Sequence, residues 1–192
     1  MKKDALILGL AMMLAAGGTC AAAAPPGTAA TERTAVGADV GATAAGAFAG
    51  AVSLAFSVEL PLSRAWAIDL EPSVYVAPGT GVSILQVNAG ALARFYFMSL
   101  FVADAARPAQ WGPFFAAGAV AAWEYAPDQA ITVLALGPAI RAGYRVVFGD
   151  AGFSFEPSVG FMALFGGHFE PAGTSASANA GLTLGLIAGW RF

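Results

Sequence analysis

The sequence predicts an all-β chain, an eight-stranded antiparallel up-and-down transmembrane β-barrel occupying residues 34–192. Three observations carry that reading. In the last fifteen residues, Leu182, Leu184, Leu186, Ala188, Trp190 and Phe192 alternate with Asn179, Gly181, Thr183, Gly185, Gly189 and Arg191, and Ile187 is the one large apolar exception. That is a strand with one apolar side. The chain is 58% hydrophobic with 11% charged residues, yet past the N-terminus no run of eighteen apolar residues escapes interruption by glycine, proline or polar groups, which disfavours a helical membrane span. Finally, charges within one candidate strand keep to one parity.

The 192 residues leave room for one domain. Residues 1–24 read as a signal peptide: Lys2 and Lys3, an apolar run from Ala5 to Ala16, and small residues up to Ala22, Ala23 and Ala24. Without Lys2, Lys3 and Asp4 there remain seven cations, all arginine, against eleven acids. Cys20 raises the alternative of a lipidated cysteine, but Gly17, Gly18 and Thr19 before it fit a lipidation signal poorly. Its removal with the leader would leave a thiol-free chain suited to an oxidising compartment. Residues 25–33 (PPGTAATER) read as a flexible lead-in.

The strands then follow in order, bounded by turn residues. Thr34 to Ala42 is the weakest, with Val36, Ala38, Val40 and Ala42 on one side and Asp39 on the other; a Gly/Ala tip at Thr43 to Ala47 follows. Phe48 to Leu62 alternates Leu54, Phe56, Val58 and Leu60 with Ser53, Ser57 and Glu59, and ends in a tight turn at Ser63 and Arg64. Ala65 to Ala77 leads through Pro78–Gly81 into Val82 to Met98, where Phe95 and Phe97 oppose Arg94 and Tyr96. A longer connection runs from Ser99 to Gly112. Pro113 to Tyr125, Ala130 to Phe148 and Phe153 to Phe165 come next, and a polar loop, Gly166 to Ser177, precedes the closing strand. An even count returns both ends of the barrel to one side of the membrane, which supports the weak first strand.

Asp69 with Glu71, and Arg141 with Arg145, each lie at an even separation, so each pair projects to one side. A charge on the lipid side near the midplane would cost about 2–4 kcal/mol, so one-sided charge is what a membrane barrel demands. Trp66, Phe95, Phe97, Phe115, Tyr144, Phe148, Phe153, Trp190 and Phe192 fall near the inferred periplasmic ends, and Trp123, Tyr125, Phe161 and Phe165 near the other rim. Rings in those places suit the headgroup level.

The closing AGWRF, the RFYF before a turn and GPFFAAGAVAAW after it resemble the small eight-stranded outer-membrane barrels of the OmpX and OmpA membrane-domain type, over residues 34–192. The resemblance implies the bacterial outer membrane, insertion through the C-terminal strand by the outer-membrane assembly machinery, contact with outer-membrane lipids, and a monomer. Pro72, Pro138 and Pro157 fall inside strands, where bulges or register shifts are expected. LEPSVYV (Leu70–Val76) and FEPSVGF (Phe155–Phe161) echo one another, either as a shared strand solution or as a duplication.

The inward parity holds Glu59, Asp69, Glu71, Arg94, Arg141, Arg145, Glu156 and Arg191. These read as a lumen network of ion pairs that plugs the barrel, since buried charges must be paired; the alternative is a gate or narrow conduit for small solutes. Lipid-modifying enzymes share this architecture, but the lone histidine, His168, is placed in the polar loop beside Glu170, and a triad with Ser175 or Ser177 is weighed below a solvated histidine. No catalytic, cofactor-binding or metal site is assigned and no cofactor is expected. Seven scattered arginines make no nucleic-acid surface. The reading is a structural or surface-interaction barrel.

Overall fold

The computed structural model describes residues 34–77, 83–101, 110–148 and 152–192; the leader, the lead-in, Cys20, the Pro78–Gly81 turn and most of the 149–152 turn lie outside them. Eight antiparallel strands close into a barrel in sequence order. They are β1 (Ala35–Asp39), β2 (Val52–Pro61), β3 (Trp66–Ala77), β4 (Ile84–Tyr96), β5 (Gly112–Ala126), β6 (Ile131–Phe148), β7 (Phe153–Glu170) and β8 (Gly173–Arg191), with helices α1 (Val40–Phe48) and α2 (Met98–Phe101). Paired residues lead from Arg191 through Ala35, Glu59, Asp69, Leu92, Gly118, Ala139 and Met162 back to β8 at Gly181, a stagger of ten residues per circuit. With a rise of about 3.3 Å per residue and about 4.8 Å between strands, that stagger tilts the strands by about 40° and gives a backbone radius of about 8 Å. Side chains can fill so narrow a lumen.

The sides of the wall sort as the alternation requires. Leu182 and Leu184 are 80% and 81% exposed, while Arg94, Asp69 and Glu59 are fully buried. At the lower end, which carries Arg191, aromatic rings pack in series: Trp66 on Phe95 (4.8 Å), Phe95 on Phe97 (4.9 Å), Phe148 on Phe153 (5.8 Å) and Phe153 on Trp190 (4.8 Å). Higher up, Trp123 stacks on Tyr125 at 6.2 Å.

Three expectations need correction. The first strand stops at Asp39, and the supposed Gly/Ala tip is α1, which delays β2 to Val52. Asp39 caps the helix by accepting from Ala42 N at 2.9 Å, and the same Oδ1 accepts from Leu186 N at 3.2 Å, a β8 donor near the point where pairing with β1 ends. The helix fills the wall between β2 and β8 through two glycines. A Cβ on Gly41 would lie 3.0 Å from the Leu186 Cβ, and one on Gly46 would lie 2.7 Å from the Ser53 Cβ. Small residues thus let a helix lie where a strand was expected.

The polar loop is the second correction. β7 and β8 pair without interruption up to Glu170 and Gly173, so residues 166–177 form a projecting hairpin turned at Pro171 and Ala172. At that tilt the 19 residues of β8 rise about 45 Å along the axis, against about 25 Å of apolar band. Once past the lipid, the strands no longer need apolar residues at every second position.

The third concerns the prolines, which cause no bulge. Register is the same on both sides of Pro72, Pro138 and Pro157, and each leaves a two-residue gap toward one neighbour only: β2 for Pro72, β7 for Pro138 and β6 for Pro157. The missing N–H removes local pairing without inserting a residue. The echoed Glu-Pro pairs share this arrangement, with glutamate inward and the gap facing the preceding strand.

Candidate functional site in the barrel lumen

Alternation on five strands delivers the lumen charges to one level. β2 supplies Ser57 and Glu59, β3 Asp69, β4 Arg94 and Tyr96, β6 Arg145 and β7 Glu156. Arg94 stands at the centre. Its Nη1 donates to both oxygens of Glu156 at 2.7 and 2.8 Å and lies 3.3 Å from Glu59 Oε2, while Nη2 donates to Asp69 Oδ2. Arg145 closes the ring, from Nε to Glu156 (2.7 Å) and from Nη1 to Glu59 (2.7 Å). Three carboxylates share two guanidinium groups. Hydroxyl donors supplement them: Tyr96 to Glu59 at 2.5 Å and Ser57 to Asp69 at 2.6 Å. The Arg94 Cζ lies 4.4 Å from the centre of the Phe114 ring, and the Arg145 Cζ 5.2 Å from that of Tyr96.

Side chains of the network are 0–4% exposed. Each desolvated ion costs several kcal/mol, so such a group is tolerated only where close hydrogen bonds offset the loss of water. Leu92, Phe114 and Ala116 are packed among the charges, leaving a floor of charge and ring across the lower lumen.

Above it, Arg141 makes a two-pronged pair with Glu71, Nη2 donating to Oε2 at 2.8 Å and Nη1 to Oε1. That pair is 15–17% exposed. Asn88 donates to Ser73 (3.0 Å) and accepts from Gln86 (3.0 Å). A cavity of about 220 Å³ lies here, lined by Asp39, Glu71, Asn88, Arg141 and Thr183 together with apolar side chains such as Leu92, Val120, Met162 and Ile187. Below the floor, Gln110 accepts from Arg191 (3.2 Å) and donates to the Ser63 carbonyl (3.1 Å), tying the lower ends of the strands together.

All eight charged residues expected to face inward are therefore in the lumen, but they form three groups. Glu59, Asp69, Arg94, Arg145 and Glu156 meet in one network, Glu71 and Arg141 form a separate pair, and Arg191 meets Gln110. The sequence reading missed Tyr96, Ser57, Gln110 and Asp39 as partners. Tyr96, Ser57 and Asp39 share the inward parity, which is the signal that pointed to them; Gln110 precedes β5 and gives none.

His168 is not in a loop. It sits in β7 opposite Ser175, with Glu170 two residues on at the same parity. Among the described residues no hydrogen bond joins the three, and Ser175 and Glu170 are exposed. No group of His, Cys, Asp and Glu among the described residues has the arrangement of a metal site.

No family model matches the chain, and no curated protein matches its sequence. Among solved structures it is similar to the outer membrane protein AlkL, determined by solid-state NMR in DMPC lipid bilayers, with a TM-score of 0.51 and 12% identity over 88% of this chain and 94% of that one. At that identity the likeness concerns the fold. The chain has the fold of a small eight-stranded outer-membrane β-barrel.

Proposed function

We propose that the chain is a monomeric bacterial outer-membrane barrel with a structural or surface-interaction role, its lumen closed by the ion-pair floor. The single observation behind the closed lumen is Arg94, fully buried between Glu59, Asp69 and Glu156. An open pore would leave these groups to water. Apolar residues on the outer face and rings at the lower rim support contact with outer-membrane lipids, and the closing strand with its terminal Trp190, Arg191 and Phe192 suits recognition by the assembly machinery. The β7–β8 hairpin, with Thr174, Ser175, Ser177 and Asn179 beyond the lipid level, offers the surface for an interaction.

Planar-bilayer recording of the purified protein separates this from a narrow conduit. Silence at moderate voltage is the expected result; discrete, reproducible channel events would overturn the closed floor.

A further inference from the structure

The connection that leaves β4 carries an apolar surface that the barrel itself does not cover. Phe97, Leu100 and Phe101 are all exposed, Leu100 by 61% and Phe101 by 80%. They lie at i, i+3 and i+4 around a helical turn in which Leu100 N donates to the Phe97 carbonyl at 3.2 Å, so the three side chains share one face. Residues Phe97 to Phe101 (FMSLF) hold no charge. A bare apolar cluster of this kind marks a surface that meets a protein or a membrane.

Contacts on the other side of the turn fix where that face points. Ser99 is buried and its Oγ accepts from Gln110 N at 3.3 Å, while Gln110 ties Ser63 and Arg191 together beneath the floor. Met98 lies against the first residue of β5, since a Cβ on Gly112 would meet its Cγ at 2.9 Å. Phe97 N donates to the Pro113 carbonyl at 3.2 Å. The turn therefore runs along the lower rim, level with the start of β5, with Ser99 toward the barrel axis and Phe97, Leu100 and Phe101 away from it. The Phe97 ring packs edge-on against Phe95 (4.9 Å), and Phe95 against Trp66 (4.8 Å), both on the outer wall. Leu62, just past β2, donates its N–H to the Trp66 carbonyl at 2.9 Å and adds a side chain 62% exposed to the same rim.

We infer that this turn is a second lipid-docking surface, with Leu62, Phe97, Leu100 and Phe101 seated at the boundary between headgroups and acyl chains of the periplasmic leaflet. Phospholipid is the occupant because the face is uncharged and continues, ring upon ring, the wall that meets acyl chains. Its placement in that leaflet rests on the outer-membrane reading, with the lower end periplasmic. Leucine methyl groups of the full chain in phospholipid nanodiscs report depth by NMR. Relaxation is read from a nitroxide carried on the lipid near the headgroup, from one near the acyl terminus, and from a water-soluble gadolinium chelate. Leu62 and Leu100 are expected to relax several times faster with the nitroxide near the headgroup than with the terminal one. Leu184 precedes Trp190 by six residues, which places it about 15 Å higher, and it should show the reverse order. Leu92, buried in the lumen, should respond least. Strong relaxation of Leu100 by the chelate and by neither nitroxide would overturn the docking surface while Leu184 still upheld the wall. Protection of Leu100 from all three probes would overturn it as well, since protein would then cover the turn. Loss of nitroxide relaxation at Leu184 would instead overturn the membrane reading itself.

Discussion

Replacing Arg94 with methionine removes the charge at the centre of the floor and keeps similar bulk. Asp69 then retains only the Ser57 hydroxyl, while Glu59 and Glu156 share Arg145. Three buried carboxylates would face one guanidinium. Breaking a buried pair by removing one partner typically costs about 3–5 kcal/mol, whereas a hydrated pair contributes only about 0–1 kcal/mol. The two magnitudes distinguish a dry floor from a wet conduit. Urea unfolding of the barrel in lipid vesicles, followed by tryptophan fluorescence, should show a loss of about 3–5 kcal/mol for Arg94→Met. Adding Asp69→Leu removes the most isolated carboxylate and should restore part of it. A loss below about 1 kcal/mol, with no recovery in the double variant, would refute the desolvation argument.

Two further perturbations use the same assay. Leu184→Arg puts a charge on the outer face and should destabilise by about 2–4 kcal/mol in bilayers; a neutral effect would count against lipid contact at that position. Asp39→Ala removes the acceptor shared by Ala42 N and Leu186 N and should cost about 1–2 kcal/mol, whereas Asp39→Asn should cost much less. Equal losses would mean that charge, not capping, is what Asp39 contributes to stability.

The architecture was legible because a barrel wall repeats every two residues, so Arg141 and Arg145, or Leu182 and Leu184, declare their sides without reference to the rest of the fold. Partners were not. Arg94 meets Glu156 across the lumen, from β4 to β7, and which charges reach the same level depends on the ten-residue stagger, a property of closure and not of any one strand. α1 was hidden for another reason: Val36, Ala38, Val40 and Ala42 continue the alternation, but alanine and glycine carry little side-chain commitment, and Asp39 supplies a cap that tips the backbone into a helix. The β7–β8 hairpin read as a loop because strands beyond the lipid lose the apolar half of their pattern. Prolines misled in the opposite direction, since losing one N–H opens a gap in the ladder without adding the residue that a bulge needs.

The most direct test is a nitroxide scan along β8 from Leu182 to Trp190 in bilayers, reading accessibility to oxygen and to a water-soluble nickel chelate. Oxygen accessibility is predicted to be high at Leu182, Leu184, Leu186, Ala188 and Trp190 and low at Thr183, Gly185, Ile187 and Gly189, a period of two. Uniform access of the nickel chelate along the strand, or no alternation, would contradict a barrel with acyl chains outside and a packed, charged lumen inside.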